Sequence, residues 1–117
     1  VFVTMKQSLR SMVEEIDFVT SFGHGNGAGD RAAIGLTTFG PAALITDLAL
    51  WEPDPETAEL TVTSLHPGID RQAVQDQCGW PVRFAEGLVE SPLPTEEELS
   101  ALREIKARTE KAHAPRP

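Results

Sequence analysis

Two apolar segments near the middle of the chain limit its fold more than any other feature. They are Ala43-Leu44-Ile45-Thr46-Asp47-Leu48-Ala49-Leu50-Trp51 and Leu60-Thr61-Val62-Thr63-Ser64-Leu65. Between them Glu52-Pro53-Asp54-Pro55-Glu56-Thr57 supplies prolines and polar turn formers, the composition of a hairpin connection. The two segments are therefore expected to pair antiparallel. In the first, both alternating sets are apolar: Leu44, Leu48 and Leu50 on one face, Ala43, Ile45 and Trp51 on the other. Such a strand needs cover on both sides. A lone hairpin is marginal in water, so more sheet or helix must pack on it. The fold class that follows is α/β.

The remaining elements are shorter. Val1-Phe2-Val3-Thr4-Met5 reads as a strand, and an apolar run at residue one reads as a buried strand belonging to a larger protein. Ser8 to Glu15 is a short helical or irregular piece in which Met12, Val13 and Ile16 share an inward face. Phe18-Val19-Thr20 reads as a second strand. From Gly23 to Gly40 six glycines break any regular period, giving a long loop of the kind that is often functional or mobile. Asp70 is placed to cap a short helix, with Ile69 and Val74 as a hydrophobic staple and Gly79 as its stop. Val82-Arg83-Phe84 is a last short strand. After Pro92-Leu93-Pro94, Thr95-Glu96-Glu97-Glu98 has the form of a capping box, opening a helix whose inward stripe is Leu99, Leu102 and Ile105. From Lys106 to Pro117 the chain turns basic and is expected to fray.

At 117 residues the chain has the length of one domain. Eighteen acidic against ten basic side chains give a net charge of −8, with no clustered basic face before the last fifteen positions. Nucleic acid and anionic membrane are thereby disfavoured as partners. No apolar run approaches the roughly 20 residues that cross a bilayer, and no signal-peptide pattern precedes Ser8. A single Cys, Cys78, has no intramolecular disulfide partner, so a cytoplasmic location is the expectation. Cys78 itself reads as a small buried residue on the apolar side of its helix rather than a reactive thiol.

Few side chains suggest chemistry. Ser21-Phe22-Gly23-His24-Gly25-Asn26-Gly27-Ala28-Gly29-Asp30 is the one Gly-rich segment that could cradle an anion, since backbone N–H groups there can approach a phosphate closely. It has neither the dinucleotide fingerprint nor the Gly-Lys-Ser/Thr of a phosphate loop. Gly25, Asn26 and Gly27 are its candidate ligand contacts, and a mobile or interface loop is the other reading. His24, His66 and His113 lack metal-ligand spacing, and no metal site is expected. His66, in Leu65-His66-Pro67-Gly68, reads as a turn residue bonded to backbone. Asp47 is out of place inside an apolar strand, where a lone carboxylate is costly. Asp47, Ser64 and His66 form no convincing triad, because no nucleophile elbow surrounds Ser64. No catalytic residue is assigned.

Taken in order, several segments resemble the C-terminal half of the β subunit of family I CoA-transferases, the group of 3-oxoacid, 3-oxoadipate and glutaconate CoA-transferases. They are Val3-Thr4-Met5-Lys6-Gln7-Ser8, Val13 to Ser21, Ile45-Thr46-Asp47-Leu48-Ala49-Leu50-Trp51 and Leu65-His66-Pro67-Gly68-Ile69, followed by the Val74-to-Gly79 helix and Pro94-Thr95-Glu96-Glu97-Glu98-Leu99. The resemblance covers residues 1–105, and the long Gly-rich loop is more like the glutaconate branch. It implies a partial open sheet of the CoA-transferase type with a β-hairpin and a C-terminal helix. It also implies an α subunit as partner, in a hetero-oligomer or as a self-associating fragment, and coenzyme A as substrate with no bound cofactor. In that family a glutamate attacks acyl-CoA and forms a glutamyl-CoA thioester, from which CoA passes to a carboxylic acid. The matching glutamate and its Gly-Gly segment are expected upstream of Val1, and Glu14 and Glu15 do not match that motif. Two other readings stay open: a ring-cleaving acyl-CoA hydrolase of the same fold, and a non-catalytic binding or assembly module.

Overall fold

A computed structural model describes residues 1–113. Five strands form one mixed sheet in sequence order: β1 (Phe2–Thr4), β2 (Ala43–Ile45), β3 (Ala49–Pro53), β4 (Leu60–Leu65) and β5 (Arg83–Glu90). The β1–β2 and β4–β5 pairs are parallel, while β2–β3 and β3–β4 are antiparallel. Three helices accompany them: α1 (Asp30–Ala33), α2 (Arg71–Asp76) and α3 (Glu96–His113).

The expected hairpin between β3 and β4 is present, and Asp54 builds its turn. One Asp54 carboxylate oxygen accepts from the Glu56 and Thr57 amides and the Thr57 hydroxyl. These donors, the Thr57 amide foremost, hold the Asp54 carboxyl below its usual range. The expected nine-residue strand before it, however, is two strands. The chain reverses at Thr46-Asp47-Leu48, so that Leu44 pairs with Trp51 and Ile45 with Leu50. Thr46 makes the reversal: its hydroxyl oxygen accepts from the Leu48 and Ala49 amides, groups that a continuous strand would have used in its ladder.

The core is small and lies on one side of this double hairpin. Met12, Leu44, Ala49, Trp51, Val62, Val74 and Cys78 are buried, with Ile69, Trp80, Val82 and Leu88 partly buried around them. Trp80 lies tilted against Trp51 at a centroid separation of 6.3 Å. Helix α2 connects β4 to the parallel β5 and places Val74 in this core. Asp70 caps it, accepting from the Ala73 amide at 2.8 Å, and Ile69 is partly buried against the core that holds Val74. The helix closes at Gln77, two residues before the Gly79 expected to stop it. Gly79 serves a different purpose, donating its amide to the Met12 carbonyl at 2.8 Å, where a Cβ would fall 2.8 Å from that same oxygen. The contact brings the N-terminal segment onto the core.

Several expected elements differ. Ser8–Glu15 is a turn that buries Met12 alone, leaving Val13 and Ile16 at the surface. Phe18-Val19-Thr20 forms no strand and is exposed, having no neighbouring strand to pair with. Strand β1 is exposed throughout rather than buried. The Val82–Phe84 strand is longer, reaching Glu90, with an irregularity where Val62 and Ser64 meet Phe84 and Val89. Helix α3 begins with the capping box as expected, Thr95 and Glu98 exchanging bonds at 2.7 and 3.2 Å, yet buries none of its side chains. The helix takes in Lys106–His113 of the basic segment; residues 114–117, where the expected fraying was to end, lie outside the described residues.

Candidate functional site

The Gly-rich loop folds as a series of tight turns around α1. Gly25 adopts φ +64° and Gly27 φ +141°, conformations that favour glycine. The three candidate contacts are together at the loop tip, but their amides already have acceptors. Gly25 donates to the Phe22 carbonyl, Asn26 to an Asp30 carboxylate oxygen at 2.8 Å, and Gly27 to the His24 carbonyl. Arg31 fastens the loop from inside, donating to the Gly23 and Thr38 carbonyls and the Thr38 hydroxyl. His24 bonds the Pro41 carbonyl through Nε2 at 2.8 Å. The tip and the β3–β4 turn enclose an open concavity of about 390 Å³ lined by His24, Gly25, Asn26, Gly27, Thr57 and Glu59. Its walls supply the Asn26 side chain, carbonyls and one carboxylate, so a ligand there would meet shape and hydrogen-bonding groups rather than a nest of free amides.

A second constellation lies at the carboxyl ends of β1, β2, β4 and β5, where open α/β sheets bind their ligands. Gln7 is its hub. Its Nε2 donates to the Val74 carbonyl at 2.9 Å, its Oε1 accepts from the Thr46 hydroxyl at 3.0 Å, and its amide donates to Asp47 at 2.7 Å. The carboxylate that was anomalous in a strand thus sits exposed in the β2–β3 turn and fastens the N-terminal segment to it. Beside this hub His66 Nε2 meets the Thr46 carbonyl at 2.9 Å, and Nδ1 faces the Ser91 hydroxyl at 3.3 Å, itself 2.6 Å from the Ser64 hydroxyl. A carbonyl only accepts, so Nε2 donates to Thr46, and the Ser91 hydroxyl bridges Nδ1 and the Ser64 hydroxyl. Asp47 has no part in this chain and Ser64 is buried, which removes the hydrolytic triad. An open concavity of about 580 Å³ adjoins this end of the sheet, bounded by Thr4, Met5, Lys6, Ile45, Thr46 and Asp47.

Sequence alone singles out Asp47 and His66 without their partners. It leaves Gln7, Thr46 and Ser91 unassigned; the signal available was the polar Thr46-Asp47 pair interrupting an apolar run. Cys78 is buried as expected, and burial pushes its thiol pKa up, which opposes thiolate chemistry. Among the described residues no group of three or more His, Cys, Asp or Glu side chains is arranged to hold a metal ion, and no helix is long and apolar enough to cross a membrane.

This arrangement has relatives. The chain is 49% identical over 113 residues, 97% of its length, to the β subunit of the 3-oxoadipate CoA-transferase of Pseudomonas knackmussii, of which it covers 44%. It superposes on glutaconate coenzyme A-transferase from Acidaminococcus fermentans with a TM-score of 0.78 and 25% identity, over 88% of this chain and 40% of that one. Rhodococcus jostii IpdAB shares the fold at a TM-score of 0.68 and 22% identity, over 88% of this chain and 40% of that one. The chain thus spans less than half the length of the relatives it matches. Residues 1–77 match the family model described as Coenzyme A transferase. With that match and the high identity to a transferase β subunit, the chain belongs to the coenzyme A transferase family, on the β-subunit side.

Proposed function

We propose that this chain is the C-terminal part of a CoA-transferase β subunit, working with an α subunit to move CoA from an acyl-CoA to a carboxylic acid. The observation that carries the reading is the 49% identity to the β subunit of a 3-oxoadipate CoA-transferase along nearly the whole chain. The reaction proposed is the family's: a glutamate outside these residues attacks the acyl carbonyl and expels CoA thiolate, leaving an acyl-glutamyl anhydride. The thiolate attacks the glutamyl carbonyl, releasing the donor acid and forming the glutamyl thioester. The acceptor carboxylate then repeats the two steps in reverse, leaving as acyl-CoA and freeing the glutamate. The residues present here supply no nucleophile for it. Their contribution is structural: the Gln7–Thr46–Asp47 hub and the His66–Ser91 pair fix the carboxyl ends of four strands, against which a reacting acyl-CoA would lie. The loop tip at Gly25, Asn26 and Gly27 borders the CoA or the subunit contact. A cytoplasmic location fits soluble substrates of this kind.

The test uses the full-length protein co-expressed with its α subunit and supplied with a dicarboxylic acyl-CoA such as 3-oxoadipyl-CoA. CoA transfer that requires an added acid such as succinate is the expected result. Free CoA released at the same rate without any acid identifies a hydrolase, and no turnover with either identifies a binding or assembly module. At the loop, Asn26→Arg places a long side chain at the tip without removing an amide bond. It is expected to raise the acyl-CoA KM, or to weaken association with the α subunit, by at least about threefold. Unchanged kinetics and assembly would remove the loop from the site.

A further inference from the structure

The β2–β3 reversal closes with one bond rerouted. Residues that flank a two-residue hairpin turn ordinarily exchange both amide–carbonyl bonds, and here they are Thr46 and Ala49. Of that pair one bond is made, the Thr46 amide donating to the Ala49 carbonyl at 2.9 Å. The Ala49 amide goes instead to the Thr46 hydroxyl oxygen at 3.0 Å, which also accepts the Leu48 amide at 3.1 Å. The Thr46 carbonyl, at a buried residue, is left needing another donor. His66 supplies it from 20 residues away, Nε2 donating at 2.9 Å. The His66 amide donates to the Leu48 carbonyl at 3.0 Å, and the Ser91 hydroxyl stands 3.3 Å from Nδ1, so the ring is held from both sides.

The same backbone therefore has two closures. In the observed one Thr46 gives its hydroxyl to the turn and its carbonyl to His66. In the other the carbonyl takes the Ala49 amide, the hydroxyl is released and the Leu48 amide loses its acceptor. The choice reaches the N-terminal segment, because the Thr46 hydroxyl also bonds Gln7 Oε1 at 3.0 Å and Asp47 accepts the Gln7 amide at 2.7 Å. Met5, Lys6, Thr46 and Asp47 are walls of the concavity of about 580 Å³ at the carboxyl ends of the strands, where open α/β sheets bind ligands. On the transferase reading proposed above, we infer that His66 is a positioning residue for CoA transfer: its bond to the Thr46 carbonyl selects the hydroxyl closure and so sets this wall against the acyl-CoA. The imidazole has no acid–base part in that role, as both ring nitrogens face groups of this chain. A donor in the place of Nε2 is what the role requires.

The test compares His66→Gln, which keeps an amide donor in reach of Thr46, with His66→Phe, which keeps a ring and deletes the donor. Both are made in the full-length protein and purified with its α subunit. Hydrogen exchange of the Leu48 amide is read first, whether or not CoA is transferred. It is expected to speed up in His66→Phe and to stay at the parent level in His66→Gln. In the transfer assay His66→Phe is expected to lose about tenfold in kcat with KM within about twofold of the parent. His66→Gln is expected to keep most of kcat and the parent's pH profile. If His66→Phe fails to assemble, His66→Asn, whose amide falls in the place of Nδ1 and short of Thr46, is read in its stead. Parent-like exchange and kcat in the donor-deleted variant overturn the inference. So does a His66→Gln variant as impaired as His66→Phe with a limb of the pH profile gone, which assigns the imidazole to proton transfer. A parent that transfers no CoA overturns the transferase reading instead, and the exchange result then still decides whether His66 selects the turn.

Discussion

At the residue scale the fold turns on a few polar side chains. Gln7 is 3% exposed, yet its side chain has a partner at each end, which offsets the cost of its burial. Thr46 is similarly buried: its hydroxyl oxygen accepts from the Leu48 and Ala49 amides, and its single hydrogen is shared between Gln7 Oε1 and the Ala49 carbonyl. Removing either leaves buried groups without partners, at a cost of about 1–3 kcal/mol each. Thr46→Val, which keeps the shape and deletes the acceptor, is expected to lower the urea midpoint of the full-length protein, and Thr46→Ser to retain most of it. Equal midpoints for the two would show that the hydroxyl is not what holds the turn. Gln7→Ala and Thr46→Val should be non-additive, because they break the same bond. Little of this was legible beforehand. A glutamine after a strand has no local mark, since its partners are 39 and 67 residues away.

At the element scale, segments that close their own bonds were legible in the sequence. The Asp70 cap, the Thr95–Glu98 box and the Asp54 turn each satisfy amides within three residues, so sequence alone contains both partners. The box also gives a pH dependence. Bonds from the Thr95 amide, then its hydroxyl, lower the folded-state Glu98 pKa. A depressed carboxylate stabilises above the unfolded pKa, about 4.3 for Glu, and that contribution fades as pH falls through the folded value. Protection of the α3 first-turn amides from hydrogen exchange should therefore decline with acid below about pH 4.3, and Glu98→Gln should reduce that decline. An identical acid profile in the variant would contradict the assignment. The β2–β3 segment misleads for the opposite reason. Its apolar alternation continues across Thr46-Asp47, and periodicity has no sign for a strand that folds back on its neighbour.

For the whole molecule, shape and exposure agree. The radius of gyration is 17.4 Å, against about 13 Å for a compact chain of this length. Phe2, Phe18, Val19 and Phe39 are 72%, 79%, 64% and 96% exposed, and β1 pairs on one side only. Open apolar edges of this kind pair with whatever strand is at hand. Residues 1–117 expressed alone are expected to bind an apolar dye and to self-associate as concentration rises. A monodisperse monomer without dye binding, at hundreds of micromolar, would mean that these faces need no cover.

The sequence by itself determined the elements whose stabilising partners are near in the chain: the β3–β4 hairpin, the capped starts of α2 and α3, and the burial of Val74 and Cys78, although Cys78 lies just past the end of α2. It also contained enough ordered similarity to place the chain among the coenzyme A transferases. Only the tertiary structure decided that β2 and β3 are separate strands, that Gln7, Thr46, His66 and Ser91 meet at one end of the sheet, and that among the described residues α3 and β1 bury none of their side chains. The division is physical. Caps and turns are set by bonds a few residues long, whereas register and burial are set by which distant surfaces are available to exclude water.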